Sequence, residues 1–267
     1  MDFSLGNCVT ELEHLCKAWS TINLSSGTLA PVADVAELSK KPGSTVSHSF
    51  ESYMAVAPAL ENDARLHLSL LPQPYIGDLN GARVFILMLN PGVGPMDYYA
   101  ELSTARDHRF VEAVQRNLRQ DANREYPFFF LDPAFLWHPG ATYWRKRLNW
   151  IVRKLMEVCV RPYEHCLRHV AQTVCCLQLV PYHSSTFGMS AGSVKKLEST
   201  KLVIAAANEI ASSGNRFLAV MRQHNAWKLP KSSSIMYSAP AHRRGAAMTP
   251  GSELGDAIVG VLAESLK

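Results

Sequence analysis

The chain has 267 residues, of which 47% are hydrophobic and 19% charged. That composition excludes a disordered or collagen-like polymer, and no apolar run approaches the roughly 18 residues of a membrane span. The formal charge of +4 is mild but unevenly placed: residues 1–80 carry 4 Lys/Arg against 9 Asp/Glu, and residues 81–267 carry 23 against 14.

The stretch Asn215–Arg244 holds six basic residues and no acidic one, and Ala141–Val170 holds seven against two. Such asymmetry suits a polyanionic partner met by the C-terminal two thirds; a solvated basic helix face is the blander alternative. The start MDFSLGNCVTELEH has no basic segment followed by an apolar one, so no secretory signal is expected. Six cysteines without a CxxC pair read as reduced thiols of a cytoplasmic protein.

Val9, Leu12, Leu15, Cys16 and Trp19 recur at helical spacing and predict an amphipathic helix over 8–19. Residues 20–50, rich in Ser, Pro, Gly and Thr, read as an extended loop region, and a short helix is expected near Glu61–Leu71. Arg83–Leu89 is a continuous apolar run ending at Asn90-Pro91-Gly92, the pattern of a strand buried on both faces. Thr173–Val180 and Phe217–Met221 are further such runs, and Ile235–Ser238 is a weaker fourth. Trp144, Leu148, Ile151, Val152 and Leu155 share a helical face, and residues 191–212 carry another helix. Thr249 reads as an N-cap with Pro250 at the first position of a last helix.

Buried strands alternating with helices predict an α/β fold: a three-layer α/β/α sandwich around a central, mainly parallel four-stranded sheet. One domain is expected, with residues 1–70 as a helical and loop-rich extension and 71–267 as the core. In such sheets ligands bind beyond the carboxyl ends of the strands. Asn90–Asp97, Pro181–Ser185 and Ser238–Thr249 should therefore converge.

Asn90-Pro91-Gly92-Val93-Gly94-Pro95 fails as a dinucleotide loop, because Asp97 stands where a third glycine is needed, and fails as a Walker loop. It can be a plain tight turn, or it can present the Asn90 amide to a water or a carbonyl. Pro181-Tyr182-His183-Ser184 offers a ring, an imidazole and a hydroxyl. Gln178, inside an apolar strand, needs partners if buried. Ser238-Ala239-Pro240-Ala241-His242-Arg243-Arg244 suits a phosphate-gripping loop, or a merely basic surface loop. Gly188-Met189-Ser190-Ala191-Gly192 matches a Gly-x-Ser-x-Gly nucleophile elbow. Here, however, Pro181 ends the strand and PYHSSTF intervenes, so a serine hydrolase using Ser190 ranks second, beside a non-catalytic nucleic-acid-binding module.

The strand ending in Leu89-Asn90-Pro91-Gly92 resembles the first motif of the uracil-DNA glycosylase superfamily, which reads Gly-Ile-Asn-Pro-Gly in the mismatch-specific branch. The resemblance covers roughly residues 70–267 by pattern, with Asn-Pro-Gly as its close match. It implies a monofunctional DNA glycosylase that flips a base and hydrolyses its N-glycosidic bond, with Asn90 catalytic and no metal or other cofactor. It further implies that SAPAHRRGAAMTPGS is a divergent DNA-inserting loop, with His242 as pocket histidine, and that Gln178 reads the base edge.

The uracil-specific branch has a Tyr that blocks bases enlarged at C5; Val93 and Gly94 stand nearby here, unless Tyr98, Tyr99 or Tyr182 fills that role. A C5-modified pyrimidine is therefore the expected substrate. Glucosylated hydroxymethylcytosine of phage DNA is one candidate, since the superfamily includes phage-defence glycosylases. Asp97 would supply charge if its loop folds back, Pro91, Gly92, Tyr182, His183 and Ser184 would hold the base, and His242 or His183 would stabilise the leaving base. Arg145, Lys146, Arg147, Ser238, Pro240, Arg243 and Arg244 would meet DNA, the expected partner of a monomeric, non-membrane protein. Leu131–Trp150 stays open between core and strand-separating surface.

Overall fold

The structure is a computed structural model that describes residues 9–22, 28–41, 43–46, 49–56, 63–102, 108–121, 125–242 and 248–267. In chain order its elements are α1 (Glu11–Ser20), α2 (Val32–Leu38), β1 (Thr45–Val46), α3 (Phe50–Val56), β2 (Leu66–His67), β3 (Tyr75–Ile76), β4 (Val84–Met88), α4 (Pro95–Leu102) and α5 (Arg109–Arg119). Then come α6 (Pro139–Cys159), α7 (Tyr163–Thr173), β5 (Val174–Gln178), α8 (Ala191–Val194), α9 (Glu198–Ser213), β6 (Phe217–Val220), β7 (Ile235–Tyr237) and α10 (Glu253–Ser265).

The central sheet has five strands in the order β3-β5-β4-β6-β7. β4 pairs in parallel with β5 and β6, and β6 with β7. The expected sheet of four mainly parallel strands is thus corrected to a mixed sheet of five, because β3 joins β5 antiparallel through Tyr75↔Leu177 and Ile76↔Cys176. Side chains alternate along each strand. Val84, Ile86 and Met88 enter one core with α6, α7 and α10, while Phe85 and Leu87 enter a second core with α1 and α9. Both faces are covered by helices, which is why the β4 run is apolar without alternation.

Other sequence expectations change as well. Residues 20–50 contain α2 and β1. The helix near 61–71 is absent from its described part, where Leu66–His67 pairs in parallel with Thr45–Val46. The last helix is capped by Ser252, whose Oγ accepts from Gly255 N at 3.2 Å, and not by Thr249. Gly251 has φ +72°, a left-handed conformation that no helix interior contains, so α10 starts after it.

The expected helix over 191–212 is two helices, α8 and α9. Asp34 of α2 caps α9, its Oδ1 accepting from Glu198 N at 2.6 Å and Ser199 N at 3.2 Å. This fully buried carboxylate sits at the positive end of a helix dipole. Among the described residues no helix is long and apolar enough to cross a membrane.

Candidate active site

A cavity of about 540 Å³ opens beyond the carboxyl ends of β4 and β5. Its wall includes Asn90, Pro91, Gly92, Val93, Gly94 and Asp97 after β4, and Gln178, His183 and Ser184 at and after β5. Two of the three expected loops therefore converge.

The two loops are stitched together. Ser184 N donates to Pro91 O at 3.1 Å, and Val180 N to Leu89 O at 2.8 Å. Asn90 Nδ2 donates to Pro91 O and Ser184 Oγ, each at 2.9 Å, with Tyr182 O at 3.4 Å. Three oxygens around one end identify it as the amide nitrogen and leave Oδ1, an acceptor, as the end not so engaged.

His183 is buried with Nδ1 2.6 Å from Gly92 O and Nε2 3.1 Å from Leu71 O. A neutral ring donates from one nitrogen only, so the tautomer decides which of the two carbonyls receives a hydrogen bond. Asp97 Oδ2 accepts from Gly94 N at 2.7 Å. Burial pushes the Asp97 carboxyl up, while His183 and the Gly94 N–H pull it back down. His138 Nε2 stands 3.6 Å from Asp97 Oδ1. Burial holds His138 down to about 4, and His183 adds to that.

Gln178 is buried in the cavity wall and its Oε1 has no hydrogen-bond partner among the described residues. A buried acceptor without a partner, on a residue of the cavity wall, is a place for a ligand donor.

Sequence reasoning missed Phe130 and Arg222, which also line the cavity. Phe130 lies within a run of three phenylalanines, where periodicity cannot tell which ring faces the site. A Cβ on Gly140 would fall 2.3 Å from Phe130 Cε1, so the close approach of this ring to α6 requires glycine there. Arg222 lies just beyond β6, and the carboxyl-end rule that selected the other loops would have found it.

Other expected residues fall elsewhere. Tyr182 is turned into the second core, donates to Asp34 Oδ2 at 2.6 Å and meets Trp19 edge-on at 6.4 Å, so it cannot stack on a ligand. Tyr98 is buried with its OH 2.7 Å from His67 Nδ1, and Tyr99 is exposed beside Phe50; neither lines the cavity.

His242 ends a short 3-10 turn that begins at Pro240 and is not among the residues of the described lining, whereas His183 is. Ser238 is buried and donates to Met221 O at 2.9 Å, a bond that turns its hydroxyl inward. Arg243 and Arg244 lie outside the described residues.

On α6, Arg147 lies 3.4 Å above the ring of Tyr143, a residue of the cavity wall. Arg145 instead donates toward Tyr163 OH at 3.5 Å, and Lys146 is exposed. Ser190 caps α8 and shares its hydroxyl with Ser193 at 2.9 Å. That is the role of an N-cap, which accounts for this serine without a nucleophile.

Comparisons with family models, curated proteins and solved structures returned no match.

Proposed function

We propose that this protein is a monofunctional DNA glycosylase acting on a C5-modified pyrimidine, on a fold akin to the uracil-DNA glycosylases. The observation that carries the reading is Asn90: its Nδ2 is tied to three oxygens of the stitched loops, and Oδ1 remains to accept from a water in the cavity. Asp97 shares the cavity wall and supplies the base that an amide cannot be.

The target nucleotide is flipped into the cavity at a cost of about a few kcal/mol. Phe130 offers a ring to stack on, and the free Gln178 Oε1 takes a donor of the base edge. The C1′–N bond breaks and its electron pair leaves with the base. The water oxygen, oriented by Asn90, bonds to C1′ while its proton passes to Asp97 and then to the departing base. Both ring nitrogens of His183 are engaged with carbonyls, which leaves the Arg222 guanidinium to face the developing charge.

An enlarged base is favoured by the space near Gly92, where, its chain neighbours aside, an added methyl group would meet no atom of the described residues within 4 Å, and by the small Val93 and Gly94 in the wall. Arg147 and Arg222 form a positive rim for phosphates. Leu136 and Trp137, both exposed just before the cavity-lining Pro139 in sequence, would offer apolar surface to flanking bases.

The test is base release from synthetic duplexes carrying glucosylated hydroxymethylcytosine or uracil. Abasic sites are expected with the former and not the latter. Release of uracil alone overturns the open-pocket reading, and release of neither overturns the glycosylase.

A further inference from the structure

Resting on that reading, we propose that His138 is a positioning residue whose Nε2–H holds the Asp97 carboxylate for water activation. The main-chain N–H of Gly140 donates to His138 Nδ1 at 3.0 Å. Nδ1 therefore carries the lone pair, and the proton of the neutral ring sits on Nε2. That buried N–H has no hydrogen-bond partner among the described residues, and Asp97 Oδ1 stands 3.6 Å away.

The ring cannot swing aside. It stacks on Phe110 with centroids 4.3 Å apart and planes 12° from parallel, and Phe130 leans on it at 5.4 Å. Asp97 Oδ2 is occupied by the Gly94 N–H, so Oδ1 is the oxygen left between His138 and the cavity. The other titratable groups acting on Asp97 are His183, which favours its charged form, and Tyr53 of α3 and Glu101 of α4, to which it is electrostatically coupled. A small rotation of the carboxylate closes the gap to hydrogen-bond length and fixes the base that takes the water's proton.

Two substitutions separate the two nitrogens. In His138→Asn the side-chain oxygen falls where Nδ1 was and keeps the Gly140 bond, but cannot reach Asp97. In His138→Gln the side-chain NH₂ falls near Nε2 and keeps the donor to Asp97, while the Gly140 bond is lost.

A hydrogen bond to a charged group is worth about one pKa unit or more. His138→Asn is expected to lower kcat about tenfold with KM unchanged, and to move the acid limb of the kcat profile up by about one unit. His138→Gln is expected to keep the wild-type profile. In the protein alone, the Asp97 side-chain carboxyl carbon, titrated by NMR, should show the same upward move in His138→Asn only.

A wild-type carboxyl midpoint in His138→Asn overturns the pairing. Absence of base release from every form overturns the glycosylase reading instead, and the carboxyl titration still decides the pairing.

Discussion

The loops that leave β4 and β5 differ from the loop that leaves β7 in where their polar groups point. After β4 and β5, Asn90, His183 and Ser184 bond to one another's loops and close one wall of a cavity. After β7, Ser238 turns its hydroxyl back to Met221 O, and the turn Pro240–His242 stays clear of the cavity lining. Both loops carry the residue types of a site. Only the former pair lies over the middle of the sheet, where neighbouring parallel strands end side by side and their exits must touch.

The largest effect expected from breaking this arrangement is that of Asn90→Ala, which removes the acceptor for water and the tie between the loops. Base release should fall about 100-fold or more, measured as abasic sites under single turnover, with DNA affinity nearly unchanged. His242→Ala should leave release within about twofold. Equal losses from the two would erase the contrast between the loops.

Next comes pH. The unfolded chain protonates His138 near 6.5, the folded protein only at about 4. Between those values the unfolded state holds the extra proton, so stability falls as pH drops through that window and is independent of this group above it. At about 1.4 kcal/mol per unit the loss is on the order of 3 kcal/mol. Asp97 acts in the opposite sense: its folded pKa lies above 3.8, so its share declines as pH rises through its raised value. Urea unfolding from pH 7 to 4 should show the net fall in the wild type and a smaller one in His138→Gln.

Gly140→Ala ranks third. The added methyl meets the Phe130 ring at 2.3 Å, so the ring or the first turn of α6 must move. A loss of about 1–3 kcal/mol is expected from overpacking, read as a lower thermal midpoint, together with weaker binding of a flipped base. Gly260→Ala, where an added Cβ meets nothing within 4 Å, is the control in a neighbouring helix.

The same geometry decides how much was legible in the residues alone. β4 and β5 were legible because a strand covered by helices on both faces is apolar at every position. β3 was not, because a two-residue strand between Pro74 and Gly77 has no period to detect. Leu66–Leu71 was misread as a helix because its burial comes from packing on neighbouring segments, and a short apolar run does not state its own period.

Within the site, Asn90, Asp97, Gln178, His183 and Ser184 were reached from the rule that ligands sit at the carboxyl ends of parallel strands. Tyr182 was assigned to the wrong side. Adjacent residues of extended chain face opposite ways, and nothing local says that His183 and not Tyr182 turns to the cavity. Phe130 and His138 come from a connection whose path only the folded chain defines.

The smallest expected effect tests the rim. Arg147 lies over the cavity-lining Tyr143, whereas Arg145 is turned toward Tyr163 of α7. A side chain that neutralises one phosphate contributes about 0.9 to the slope of log affinity against log salt. Arg147→Ala should therefore flatten that slope by about one for an unmodified duplex, and Arg145→Ala should leave it unchanged. Equal flattening by both variants would mean that α6 meets DNA along its whole exposed face. If neither variant changes the slope, the phosphate contact falls to Arg222 of the cavity wall, and Arg222→Ala would have to carry the unit of slope.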